Sequence, residues 1–265
     1  MKDLFENWNS FLSESILVGL SSYSPKSELD PEFWSEDLRL LPKIRKQLLR
    51  IAEDFLEKLQ FNSFDVIDIT LTGSLANYNW TDFSDFDLHI ILDFKQVDEN
   101  VSLVRRYFSA KGKIWNIEHN IKISGHEVEI YVQELAEPHA STGVYSLHLN
   151  RWLNKPSKIR PKIDQAIVHR KASTLMDMID QVEKHFASEN YEIAYNTALK
   201  LRKKIRNFRK CGLQGAGEYS SENLAFKTLR RNGYLRKLHD LIRISYDKFM
   251  SIGPGKRDLN EYLDL

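Results

Sequence analysis

Strand-type alternation is confined to one stretch of this chain, residues 65 to 134, and helical periodicity governs what precedes and follows it. From Asp65, "DVIDITLT" is rich in β-branched residues, and "SDFDLHIILDF" alternates acidic or polar side chains with apolar ones. "HNIKISGHEVEIYVQE" supplies two further strands around a Ser-Gly turn. Between them, "DENVSLVRRYFSAKGKIWN" carries a helical stripe. Upstream, "PKIRKQLLRIAEDFLEKLQF" opens with a proline at a helix start and keeps Ile44, Leu48, Ile51, Phe55 and Leu59 on one face. The order helix, strand, strand, helix, hairpin predicts an α+β arrangement, a mixed sheet backed by helices.

Residues 1 to 20 repeat apolar positions at Leu4, Phe5, Trp8, Phe11, Leu12 and Ile16, which predicts a short amphipathic helix. At the other end, strand signals stop with the loop "AEPHASTGVYSLHLNRWLNKPSKIRP". Three helical segments follow, "KIDQAIVHRKASTLMDMIDQVEKHF", "YEIAYNTALKLRKKIRNFRKCG" and "SENLAFKTLRRNGYLRKLHDLIRISYDKFM". Ser221 is placed to cap the last of them and Gly233 to interrupt it. The expected organisation is an α+β domain with N-terminal helices over residues 1–158 and a helical domain over 159–265.

Composition excludes several function classes. Lys plus Arg total 38 against 37 Asp plus Glu, so there is no overall charge to draw the chain to nucleic acid or an anionic membrane, and any such role rests on local clusters. One cysteine, Cys211, rules out an internal disulfide and a Cys-rich zinc site. The first residues mix acids into too short an apolar run for a signal peptide, and no later run is long enough for a membrane span. A soluble, cytoplasmic protein is expected.

The acids on the strands bear directly on function. Successive strand residues alternate faces, so Asp85, Asp87 and His89 share one side while Phe86, Leu88 and Ile90 share the other. The two aspartate Cα atoms then lie about 7 Å apart, with carboxylates leaning to one place. In "HEVEIYV", Glu127, Glu129 and Tyr131 share a face, and if this strand is adjacent Glu129 is the natural third carboxylate, with Glu127 as the alternative. Two like charges 4 Å apart repel by about 4 kcal/mol at an effective dielectric near 20, so such a cluster needs cations or protons. Hard, oxygen-seeking Mg²⁺ or Mn²⁺ would satisfy it. An isolated Asp-x-Asp is commonly just the wet face of a sheet. Here, however, Gly73 and Ser74 end the preceding apolar strand, where close backbone approach and a hydroxyl suit phosphate oxygens.

Strand, Gly-Ser, spacer, Asp-x-Asp and a later acidic strand together resemble the DNA polymerase β-like nucleotidyltransferase superfamily. The matching residues are Gly73 and Ser74, Asp85 and Asp87 in "SDFDLHI", and Glu129 in "VEIYV". More narrowly, these segments with "GVYSL" and "ENLAFKTLRRNGYL" resemble uncharacterised nucleotidyltransferase-like proteins of tailed bacteriophages. The resemblance implies that Gly73 and Ser74 touch the phosphates of an NTP such as ATP and that Asp85 and Asp87 bind two metal ions. It implies that Glu129, where many members have Asp, binds one metal and helps deprotonate an acceptor hydroxyl. It leaves open whether the acceptor is RNA, a nucleotide, a protein side chain or a small molecule, and it implies no membrane partner. A phage-encoded protein would act in the host cytoplasm. The alternative is a non-catalytic module that keeps the fold to bind nucleic acid or a protein partner.

Other residues stand further from the chemistry. His89 is expected to hydrogen-bond a metal-bound aspartate or the sheet, since imidazole suits magnesium poorly. The loop with His139, Ser141, Thr142 and Gly143 is either a base or sugar contact or a plain connection. In "LKLRKKIRNFRK", Lys203 and Arg206 are candidates to hold the nucleotide phosphates, against a reading as a solvated basic face. A second basic cluster, Lys227, Arg230, Arg231, Arg236 and Lys237 around Tyr234, suits a nucleic-acid backbone.

Overall fold

The computed structural model describes residues 23–59, 65–139, 141–159 and 161–251, so the helix expected over residues 1 to 20 lies outside the described residues. The described chain divides between Lys162 and Ile163 into two compact units.

The first unit is a six-stranded mixed sheet with helices on one face. Helix α1 (Pro42–Lys58) starts at the predicted proline and buries Ile44, Leu48, Ile51 and Phe55. Strands β1 (Val66–Thr72) and β2 (Phe86–Leu92) pair antiparallel, a one-turn helix α2 (Phe94–Val97) follows, and α3 (Val101–Glu118) then crosses over the sheet. The hairpin β3 (Lys122–Ile123) and β4 (His126–Glu134) turns through Ser124 and Gly125, both with positive φ, the backbone a two-residue hairpin loop needs. The crossover brings β4 parallel to β2.

Two strands escape the sequence pattern: β5 (Val144–Ser146) and β6 (Arg151–Asn154) lie inside the stretch where strand signals were expected to have ended. They are too short to show alternation, and β5 is buried throughout. The sheet order is β3-β4-β2-β1-β5-β6.

The apolar parity of the central strands faces the helices. Ile69, Leu71, Phe86, Leu88, Ile90, Val128 and Ile130 form one core with Phe55 of α1 and Phe108 and Trp115 of α3. Beyond the short β3, the edge of β4 is closed by a side chain. Asn116 on α3 donates from Nδ2 to the Ile130 carbonyl at 3.0 Å, and its Oδ1 accepts the Ile130 N–H at 2.9 Å. Gly112, one turn earlier, lets the helix come that close: a Cβ there would stand 3.2 Å from the Ile130 carbonyl oxygen. The acidic parity of β2 and β4 is thereby left on the face away from this core.

The second unit is helical: α4 (Gln165–Ala187), α5 (Tyr191–Gly215), α6 (Ser221–Arg231) and α7 (Tyr234–Met250). Its core joins Leu175, Met176 and Ile179 to Ala198, Leu201 and Ile205, and to Leu229, Leu238 and Leu241. Gly233, at φ 74° and ψ 0°, does break the last predicted helix in two. The expected cap is corrected by one residue: Ser220, not Ser221, accepts the Asn223 N–H, and Ser221 is the first helical residue. Among the described residues, no helix is long and apolar enough to cross a membrane.

Candidate active site

The open face of the sheet is built in rows by the strand register. Thr72 of β1, Asp87 of β2 and Glu129 of β4 are successive register partners, and Thr70, His89 and Tyr131 form the next row. Direct partners on neighbouring strands point to the same side, so Asp87 and Glu129 stand side by side across a parallel pair. Asp85 lies immediately before β2 with the same parity and, like Asp87, is half-buried.

The Gly-Ser turn is packed onto these acids. Gly73 has φ 78° and ψ −160°, a conformation that side chains rarely adopt, and a Cβ built on it would overlap the Asp87 carboxylate. The turn and the second aspartate of the pair, Asp87, thus share one space. The Ser74 hydroxyl is held at 2.8 Å from that of Ser84, the residue preceding Asp85, and Ser84 Oγ also accepts the Thr81 N–H. His126 Nδ1 in turn donates to the Ser84 carbonyl at 2.6 Å. From below, Trp34 Nε1 donates to the Leu75 carbonyl at 2.8 Å.

Ser141, Thr142 and Gly143 are fastened to the same turn. Gly73 N–H donates to Ser141 Oγ at 3.3 Å, and Asn77 Nδ2 donates to Thr142 Oγ1 at 2.6 Å. Gly143 is required by contact, because a Cβ there would overlap the Ala76 carbonyl. Ser141 and Thr142 therefore position the Gly-Ser turn, a role their place 68 and 65 residues away in the chain did not signal.

On β4 the two glutamates separate. Glu127 is exposed and lies 3.6 Å from Lys122 across the hairpin, whereas Glu129 is half-buried beside Asp87 and accepts the Tyr131 hydroxyl at Oε2. Tyr131 was predicted to share this face but not to engage the carboxylate. His89 bonds sideways, its Nδ1 donating to Gln133 Oε1 at 2.8 Å, and burial pulls its pKa down to about 4. A neutral imidazole tied to Gln133 steadies the sheet face, as a histidine of structural role would. His139, whose ring lies 6.4 Å from that of His89, is also pushed below its ordinary pKa by burial.

Among the described residues, no three His, Cys, Asp or Glu side chains are gathered as a metal-holding group. The donor set nevertheless fits a hard divalent cation: it is all carboxylate oxygen, on neighbouring positions, beside a glycine whose missing side chain makes room for the Asp87 carboxylate. Glu129 accepts the Tyr131 hydroxyl at one oxygen only, and its remaining acceptor sites are those a cation would use.

Lys203 and Arg206 belong to the second unit, on α5. Both are exposed, and they diverge: Arg206 lines a pocket of that unit with Arg202 and Arg209, and Lys203 does not.

Residues 48–152 match the model of the nucleotidyltransferase domain. The match runs from within α1 to within β6 and includes Gly73, Ser74, Asp85, Asp87 and Glu129. No curated protein and no solved structure matches the chain.

Proposed function

We propose that the first unit is a metal-dependent nucleotidyltransferase that moves a nucleoside monophosphate from an NTP to an acceptor hydroxyl and releases pyrophosphate. The observation that carries this reading is the side-by-side register of Asp87 and Glu129 with Gly73 packed against Asp87. The similarity of residues 48–152 to the nucleotidyltransferase domain supports the same class of transfer.

Asp85, Asp87 and Glu129 would hold Mg²⁺ or Mn²⁺, which when bound neutralises triphosphate charge and lowers the pKa of the acceptor hydroxyl. The rest follows from the chain's own groups. Gly73 and Ser74 receive the β- and γ-phosphates: the glycine admits close approach of phosphate to backbone, and Ser84 sets the direction of the Ser74 hydroxyl. Glu129 takes the proton of the acceptor hydroxyl, and Tyr131 keeps that carboxylate turned toward the row. The acceptor oxygen bonds to the α-phosphorus as the bond to the bridging oxygen breaks, and the electron pair leaves with pyrophosphate. Positioning is the larger part of the protein's contribution. From the resemblance to phage-encoded proteins we further propose that this occurs in a host cytoplasm, with RNA or a protein among the acceptors.

The test is incubation of the full chain with each α-labelled NTP and Mg²⁺ or Mn²⁺, with and without cellular RNA and protein. Metal-dependent pyrophosphate release and label transfer are expected, both abolished in Asp85→Asn and Asp87→Asn. A chain that releases no pyrophosphate with any NTP, yet retains nucleic acid or protein on the same face, would overturn the transfer reading in favour of a binding module.

A further inference from the structure

Helix α3 has two apolar faces. One is buried, with Val104, Phe108 and Trp115 in the core of the sheet unit. The other is Leu103, Tyr107, Ala110, Ile114 and Ile117, whose separations alternate between four residues and three, the spacing of a heptad seam. At about 100° per residue these positions fall in a band about 80° wide that runs about 21 Å along the axis. Leu103 is 57% exposed, Ile114 49% and Ile117 83%. Tyr107 is half-buried among them, with the Lys111 ammonium 5.6 Å over its ring.

A single exposed apolar side chain is ordinary on a protein surface, but a seam continuous over four turns is not. A surface helix needs one apolar stripe to hold its place, and a second stripe is what a helix carries when it is covered on both sides. The charges beside the seam are of one sign. Arg106 and Lys113 stand exposed along one flank and Lys111 lies along the other. The helix has no acid before Glu118, and Arg105, which pairs with Glu137, points away from the seam.

We infer that this seam is a docking surface for an amphipathic helix of a partner protein, apolar along its contact stripe and flanked there by Asp or Glu. The apolar seam supplies attraction, and the flanking charges choose the partner, as they do where two helices pair along heptads. A second copy of this chain is the poorer fit. In an antiparallel pair centred on Ala110, Arg106 would face Lys113 of the other copy, and in a parallel pair it would face Lys111. Acids on the incoming helix meet Arg106, Lys111 and Lys113 in either direction. Four turns against four turns make a small contact, which suits a partner that comes and goes. The inference does not rest on the transfer reading, because α3 covers the face of the sheet opposite the acidic row.

The experiment is fluorescence anisotropy of the full chain with two labelled three-heptad peptides, one with Leu at the seam positions and Glu at the flanking ones, the other with Lys in place of Glu. Each repels itself along its flanks and so stays monomeric. The Glu peptide is expected to bind at least about tenfold more tightly than the Lys peptide, and to weaken with added salt. The double variant Ile114→Ser/Ile117→Ser should lose at least about tenfold in affinity while melting like the parent, since both side chains are exposed. Arg106→Glu/Lys113→Glu should reverse the preference between the peptides. Ile193→Ser, at an exposed apolar residue of the helical unit, and Asp87→Asn should bind as the parent does. No binding of the Glu peptide, equal affinity for both peptides, or unchanged affinity in the Ile114/Ile117 variant would each overturn the inference. So would sedimentation showing a dimer of the chain that Ile117→Ser dissolves, which would give the seam to a second copy.

Discussion

The Asp87 carboxylate occupies the space that a side chain on Gly73 would need, so the turn that ends β1 and the acid on β2 are packed as one object. A left-handed glycine and a carboxylate from the neighbouring strand fix each other's position, and the Gly-Ser turn proposed to bind phosphate cannot move without disturbing the proposed metal-binding face.

That contact separates two glycines of similar backbone. Gly73→Ala meets both an unfavourable φ of 78° and overlap with Asp87, whereas Gly125→Ala meets an unfavourable φ of 89° with open space around it. The hairpin variant should lose about 1 kcal/mol, and Gly73→Ala about 2 kcal/mol or more, together with nucleotide-dependent stabilisation. Thermal melts of the two variants with and without NTP and Mg²⁺ check this. Equal losses would show that the turn tolerates a Cβ and that Asp87 moves aside.

Asp87→Asn should stabilise the metal-free protein or leave it unchanged, because it removes a negative charge beside Glu129 worth on the order of 1 kcal/mol in repulsion. Added metal and NTP should raise the melting temperature of the parent and much less that of the variant. A variant that melts lower in EDTA yet gains the same increment would make the aspartate structural.

The two glutamates of β4 predict opposite outcomes. Glu129→Gln should lower transfer by about a hundredfold or more, since the group is proposed both to hold metal and to accept a proton. Glu127→Gln removes only an exposed pairing with Lys122, worth less than about 1 kcal/mol, and should leave turnover within a few-fold of the parent. Reversal of these two results would transfer the third carboxylate to Glu127.

Acid should loosen the helical unit through one ion pair. The Lys171 ammonium bonded to Glu222 holds that carboxyl below its ordinary value of 4.5. The folded state therefore stays ionised where the unfolded chain begins to take up protons. The stabilisation is present above pH 4.5 and lost as pH falls through the lower folded value. Glu222→Gln should flatten the decline of the melting temperature below pH 4.5 and lower it modestly at pH 7, where the parent alone has the pair. An unchanged acid slope would show that Lys171 does not favour the ionised form.

Much of this was legible in the chain because it is local. Alternation in "SDFDLHIILDF" set which side chains of β2 share a face, Ser124 and Gly125 marked their own hairpin, and Pro42 marked the start of α1, since each depends on neighbours a few residues apart. Gly73, Ser74, Asp85, Asp87 and Glu129 could be picked out for the same reason: their spacing and parity are sequence properties. Only the tertiary structure made Glu129, and not Glu127, the register partner of Asp87, because that pairing is settled by the α3 crossover and by Asn116 closing the β4 edge. The same holds for Ser84 under Ser74, for Ser141 on the Gly73 amide, and for β5, a buried three-residue strand whose identity comes from β1 beside it. On α5, periodicity offered Lys203 and Arg206 equally, and the packing of α6 and α7 puts Arg206, and not Lys203, in the lining of a pocket. A side chain's parity is carried by its own strand or helix, but its neighbour across an interface is chosen by burial of surfaces far apart in the chain.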